Sequence, residues 1–206
     1  MLDRKSLNID LSHRCSLECP KCQRQTEWRN KGDKVPGRDI TISEIKRLVK
    51  FFNKIYFCGQ LSDPIHHPNF VEILKLCKDT DVVIHNSSSH KPRDYFIECF
   101  KANPNAHWIF GIDGLPEESH NYRIHQDGVK LFNIMLDAKK ILQNPPTWQI
   151  LTFKYNEDSI EKCKQIAREN EIAIMVTQSS RWEKDDEYRP RAVSYTHLRA
   201  HETSTD

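Results

Sequence analysis

The sequence predicts an α/β fold with parallel strands, on three observations. Short apolar runs alternate with segments of helical period about six times, polar residues cluster just after the apolar runs, and a capping box opens one helical segment. Alternation of this kind implies parallel strands joined by right-handed crossovers, with a site at the carboxyl ends of the strands. The sheet is either an open doubly wound one or a partial barrel, and periodicity does not choose between them.

Leu7 to Leu11 alternates apolar and polar residues and reads as the first strand. Thr41 and Glu44 form a capping box ahead of Ile42, Ile45, Leu48, Val49 and Phe52, an apolar face at helical spacing, which is the first predicted helix. Strand Ile55 to Cys58, a helix near Asn69 to Lys78, strand Val82 to His85, a helix near Pro92 to Ala102 and strand Trp108 to Ile112 follow. A longer helix from about Gly128 to Gln143, strand Trp148 to Phe153, a helix capped by Asn156 and running to about Asn170, and strand Ile172 to Val176 complete the series.

The 206 residues are 37% hydrophobic and 29% charged, which suits one domain able to bury a core. Lys and Arg number 31 against 29 Asp and Glu, with no long basic run interleaved with aromatics, so nucleic acid is not an expected partner. No apolar stretch reaches the roughly 20 residues of a membrane span, and the N-terminus lacks an apolar signal segment. A cytoplasmic location with no membrane partner is expected. Seven cysteines, an odd number, then point to buried thiols or metal ligands rather than disulfides.

Val193 to Thr203, VSYTHLRAHET, continues no period of the preceding chain and resembles the translation of a transposon-based sequencing adapter. The expected organisation is therefore a core domain over residues 1–192, incomplete at its C-terminus, and a disordered artefact over 193–206. On this reading His197 and His201, four apart as a helical metal pair would be, are not a site.

After the first strand comes Cys15-Ser-Leu-Glu-Cys19-Pro-Lys-Cys22, three thiols at intervals of four and three on a loop. Such a loop can wrap one iron–sulfur cubane and leave one iron without a protein ligand. Zinc also accepts cysteine, and three unrelated thiols are possible. However, Cys58, Cys77, Cys99 and Cys163 form no second knuckle for a structural zinc site.

The spacing and the loop's position resemble the C-x3-C-x2-C motif of radical S-adenosylmethionine (radical SAM) enzymes. The resemblance covers nearly all of residues 7–176 and implies a partial (β/α)6 barrel, truncated at the C-terminus, with a 4Fe-4S cluster on Cys15, Cys19 and Cys22. It implies S-adenosyl-L-methionine at the open iron, cleaved reductively to methionine and a 5′-deoxyadenosyl radical that abstracts hydrogen from a substrate. The sequence departs from the motif at Lys21, where relatives often carry an aromatic or apolar residue.

Further segments carry the same resemblance. Gly59 and Asp63, in Cys58-Gly-Gln-Leu-Ser-Asp-Pro, match a Gly-Gly-Glu-Pro segment in its Asp variant: a glycine permits close backbone approach and an acceptor can hold an ammonium group. His85-Asn86-Ser87-Ser88-Ser89 resembles a Thr-Asn-Gly-type segment, which makes Asn86 and Ser88 candidate cofactor contacts; the alternative is a polar cap on the next helix. Gly111-Ile-Asp113-Gly with Tyr122 and Arg123 resembles the Ser-Ile-Asp-Gly and Tyr-Arg segments of peptide-modifying relatives of the SPASM/Twitch type. It makes Asp113 and Arg123 candidates, Arg123 as a fork for the cofactor carboxylate. His66 and His67 read as loop residues near a helix start, since no thiol or carboxylate stands at ligand spacing.

The function implied is a radical SAM enzyme acting on a peptide or protein side chain, reduced by an electron donor such as flavodoxin or ferredoxin. The alternatives are a small-molecule or nucleotide substrate, a glycyl-radical activase, and a noncatalytic iron–sulfur or zinc module.

Overall fold

A computed structural model describes residues 6–32, 35, 37–179 and 185–191. Residues 193–206, and with them the tail histidines, lie outside the described residues, as do Arg181 and Trp182.

Six strands form one sheet: β1 (Ser6–Ile9), β2 (Lys54–Cys58), β3 (Asp81–Asn86), β4 (His107–Gly111), β5 (Thr147–Thr152) and β6 (Ala173–Gln178). Every neighbouring pair is parallel and the spatial order equals the chain order. This order decides between the two sheets that periodicity allowed. A doubly wound sheet reverses direction at a switch point so that helices cover both faces. An unreversed order with crossovers of one hand keeps the helices on one face and curls the sheet toward a barrel.

The helices are α1 (Gln23–Lys31), α2 (Ile42–Phe51), α3 (Phe70–Leu76), α4 (Arg93–Ala102), α5 (Gly128–Ile141) and α6 (Ile160–Glu169). The capping box of α2 is present in full: the Thr41 hydroxyl accepts from Glu44 N–H, and Glu44 accepts from Thr41 N–H at 2.8 Å. Helix α1 breaks the expected pattern. It has no buried residue and hence no apolar stripe to betray it, and it ends where Gly32 takes φ of 68°, a left-handed cap.

Ile55, Phe57, Val82, Ile84, Trp108, Phe110, Trp148 and Ile150 are all buried and belong to one core cluster that includes Phe70, Phe96 and Phe100 from the helices. Trp108 is its centre, with Phe100 edge-on at 5.0 Å between ring centroids and Phe110 stacked at 5.8 Å. The alternate residues of β2 and β5 are only half-buried, so the opposite face of the sheet is the open one. Among the described residues no helix is long and apolar enough to cross a membrane.

Candidate active site

The segments that follow β2, β3 and β4 meet the cysteine loop at the carboxyl end of β1. That loop is held by its backbone rather than by its thiols. Cys22 N–H donates to Cys19 O at 3.0 Å, and Thr26 N–H to Cys22 O at 3.0 Å, so Cys22 stands at the N-cap of α1. Glu18 N–H donates to Ile124 O at 3.2 Å, and Arg14 O accepts from Asp63 N–H at 3.0 Å, which tie the loop to the segments after β4 and β2. Leu17 is buried between Cys15 and Cys19 and anchors the loop's middle.

The three thiols share one neighbourhood. Burial pushes Cys19 up to about 12, partly offset by Arg123, and Cys15 and Cys22 raise it further. Burial, then Asp63, pushes Cys15 up to about 11. Among the described residues no three His, Cys, Asp or Glu side chains converge as a single-ion site requires. Three cysteines on one wrapping loop would instead fit the donor set of a cubane, whose ligands go to different irons. No other thiol competes for it, because Cys77, Cys99 and Cys163 lie in the hydrophobic core, and Cys58 donates to Asn8 Oδ1 at 2.7 Å. A cavity of about 240 Å³ opens beside Cys15, between the loop and α1, with Arg24 and Trp28 in its wall.

The segments singled out in the sequence form a buried polar network beneath the loop. Asp63 is buried, and its carboxylate accepts from Ser87 N–H at 2.7 Å, Ser88 N–H at 2.9 Å and Ile65 N–H at 3.3 Å. It thereby stitches the end of β2 to the end of β3; burial pushes it up to about 6 against those three donors. A Cβ at Gly59 would lie 1.4 Å from Ser62 O, so glycine is needed there for its own turn to close.

Asn86 is fully buried. Its Nδ2 donates to Ser88 O at 3.3 Å, while its Oδ1 has no partner among the described residues. Thr152 Oγ1, at the end of β5, is in the same condition. Ser88 Oγ lies 2.9 Å from Ser16 Oγ, 3.2 Å from His66 Nε2 and 4.0 Å from Cys15 Sγ, so of the candidates Ser88 touches the cysteine loop directly.

Asp113 and Arg123 are paired with each other. Arg123 Nε is 2.8 Å from Asp113 Oδ2, Nη2 donates to Oδ1 at 3.3 Å, and Nη1 donates to Ser87 Oγ at 2.8 Å. Asp113 also accepts from Leu151 N–H at 2.8 Å. Burial pushes Asp113 up, while its charge holds the buried Arg123 guanidinium protonated. The fork that sequence reading offered to a cofactor carboxylate is thus directed at Asp113.

Residue 111 must be glycine here. A Cβ would stand 2.5 Å from Ser87 Oγ and 2.9 Å from Arg123 Nη2, and Gln126 uses the same close approach to donate to Gly111 O at 2.8 Å and Ser87 O at 2.6 Å. Lys21 pairs with the Asp186 carboxylate, and Tyr188 packs edge-on against Tyr122 at 5.3 Å, so residues 185–191 reach back over the site.

Ser16, Ser87 and Gln126 were not singled out from the sequence, and His66 was read there only as a loop residue near a helix start. The triple serine after β3 was a usable signal for Ser87. Gln126 had none, because its role depends on where the chain between β4 and α5 turns.

One expectation and one alternative reading need correction. Asn156 does not cap the following helix by its side chain: Oδ1 accepts from Phe153 N–H at 2.7 Å and Nδ2 donates to Leu151 O at 3.0 Å, and a 3-10 turn at Glu157–Ser159 intervenes. Ser87 and Ser88 spend their backbone N–H groups on Asp63, and α4 starts only at Arg93, so neither residue caps it.

The fold is that of the radical SAM partial barrels. Among solved structures, Streptococcus suis SuiB bound to S-adenosylmethionine superposes with a TM-score of 0.70 at 12% identity over 91% of this chain and 43% of its own. The anSMEcpe structure with bound AdoMet gives 0.68 at 13% identity over 89% of this chain and 53% of its own. Methylornithine synthase, PylB, gives 0.62 at 15% over 84% and 52%. SuiB is also described bound to the precursor peptide SuiA, and anSMEcpe with the Cp18Cys peptide. At these identities the likeness is one of fold, and the chain spans about half, or less, of each matched chain. No family model matches the sequence, and no curated protein does.

Proposed function

We propose that this chain is the core of a radical SAM enzyme in which Cys15, Cys19 and Cys22 ligate a 4Fe-4S cluster and the polar ends of β2 to β5 hold S-adenosyl-L-methionine. The observation that carries the reading is the placement of a three-cysteine loop at the carboxyl end of β1, directly above a buried polar network drawn from the next strands. When bound, the cluster and S-adenosylmethionine supply reductive C–S cleavage and a 5′-deoxyadenosyl radical for hydrogen abstraction.

The chain's own residues do the holding and the shielding. Asn86 Oδ1 and Thr152 Oγ1 are buried acceptors with no protein partner among the described residues, and such groups are costly unless a ligand or water meets them. Asp63 and the Asp113–Arg123 pair fix the strand ends against one another, so the contacts made by Ser88 and Asn86 are preorganised.

The substrate proposed is a peptide or protein side chain, with a flavodoxin or ferredoxin as electron donor. The peptide complexes of SuiB and anSMEcpe support that choice, and the likeness to methylornithine synthase keeps a small-molecule substrate as the second reading.

Anaerobic reconstitution with iron and sulfide tests the ligand set. About four irons and four sulfides per chain are expected, with uptake abolished by Cys15→Ala, Cys19→Ala or Cys22→Ala and retained by Cys77→Ala. Equal iron in all four variants rejects the assignment.

A further inference from the structure

Cys15 is flanked on both sides by contacts to one short segment. On its N-terminal side, Arg14 Nη2 donates to His66 O at 3.1 Å, and Arg14 O accepts from Asp63 N–H at 3.0 Å. On its C-terminal side, Ser16 N–H donates to His66 Nε2 at 3.1 Å. The His66 ring is stacked on His90, with centroids 4.0 Å apart and planes 9° from parallel, which fixes the direction of that nitrogen.

A backbone N–H can only donate, so Nε2 must be the acceptor, and the imidazole is the neutral tautomer carrying its proton on Nδ1. The single lone pair of Nε2 is then committed to Ser16. Ser88 Oγ, 3.2 Å from the same nitrogen, is left to direct its proton to Ser16 Oγ at 2.9 Å or toward Cys15 Sγ at 4.0 Å. One imidazole therefore orders the residue after Cys15 and frees a hydroxyl beside the Cys15 sulfur.

We infer that His66 is a positioning residue for Cys15: by accepting the Ser16 N–H it holds the cysteine loop in the geometry that binds the cluster. The inference rests on the reading of Cys15 as a cluster ligand. Partners of this kind, one step removed from the metal, orient the ligand and tune the centre, and their loss costs about 10–100-fold in metal affinity.

The test uses the full chain and three variants. His66→Phe keeps a stackable ring and removes the acceptor, His66→Gln restores an acceptor near the position of Nε2, and His90→Phe alters the stack while leaving the acceptor in place. The first measurement is hydrogen exchange of the Ser16 amide in the metal-free protein, with amides of β3 as the reference for folding. H66F should exchange Ser16 about tenfold faster with the β3 amides unchanged, and H66Q and H90F should remain close to the parent.

The second measurement is the rate of iron loss to a chelator after anaerobic reconstitution, together with the EPR spectrum of the dithionite-reduced protein. H66F should lose iron at least about tenfold faster with a shifted spectrum, and H66Q should recover both. A Ser16 amide as protected in H66F as in the parent, or iron held equally tightly by the two, overturns the inference. Iron uptake by the parent chain decides the cluster reading separately: if the parent takes up none, that reading fails, and the exchange measurement still decides what His66 does.

Discussion

The Arg123 guanidinium lies 2.8 Å from the Asp113 carboxylate, with Asp113 fully buried and Arg123 only about 12% exposed, where the segment after β4 meets β5. Removing one partner of such a pair leaves a buried charge uncompensated, which costs about 3–5 kcal/mol. Arg123→Met is therefore expected to lower the urea midpoint by that equivalent. Arg123→Met combined with Asp113→Asn should regain part of the loss, because the orphaned carboxylate is gone. Equal midpoints for the parent and Arg123→Met would show that the pair carries no stability.

Residue 111 is glycine, and the structure gives the reason. A Cβ would fall 2.5 Å from Ser87 Oγ and 2.9 Å from the Arg123 guanidinium. Gly111→Ser should destabilise by about 1–3 kcal/mol through overpacking. Adding Ser87→Ala should relieve part of the cost by removing the nearest atom. Thermal unfolding of the three proteins checks both statements.

Trp108 is fully buried among Phe70, Phe100 and Phe110, yet its indole N–H has no partner among the described residues. Trp108→Ala should cost about 3–5 kcal/mol from the cavity it leaves. Trp108→Phe should cost less than about 1.5 kcal/mol, since it keeps most of the apolar contact and discards an unsatisfied donor. A larger loss for phenylalanine than for alanine, measured by denaturant unfolding, would contradict this.

Asp137 on α5 accepts from Arg93 on α4 at 2.6 Å, and that hydrogen bond holds its carboxyl below the usual range. A depressed carboxyl stabilises the fold above its unfolded pKa and loses that contribution as pH falls through the folded value. Arg93 is largely exposed, so solvent screens the pair and the contribution is small. The stability difference between the parent and Asp137→Asn should be present at pH 7 and shrink as pH falls below about 4. A difference that grows on acidification would contradict the assignment.

Periodicity located all six strands because each carries apolar residues for the buried face, and it located α2 because Thr41 and Glu44 advertise its start. It missed α1, whose residues bury nothing, so no stripe exists to be read. Sheet closure was hidden for a different reason: strand order is set by which crossovers pack beside which, and alternation is the same in both sheets. The candidate residues Asp63, Asn86, Ser88, Asp113 and Arg123 do gather at one end of the sheet. Their links to one another, and to Ser16, Ser87, His66 and Gln126, depend on loop paths that spacing does not encode.

The most direct test of the proposed chemistry is the product of the cofactor. The reconstituted full chain, reduced anaerobically with dithionite and given S-adenosylmethionine, should form 5′-deoxyadenosine by chromatography, and Cys15→Ala, Cys19→Ala and Cys22→Ala should each form none. A chain that carries a reducible cluster and yields no 5′-deoxyadenosine, under conditions in which a known radical SAM enzyme does, would make it a noncatalytic iron–sulfur protein.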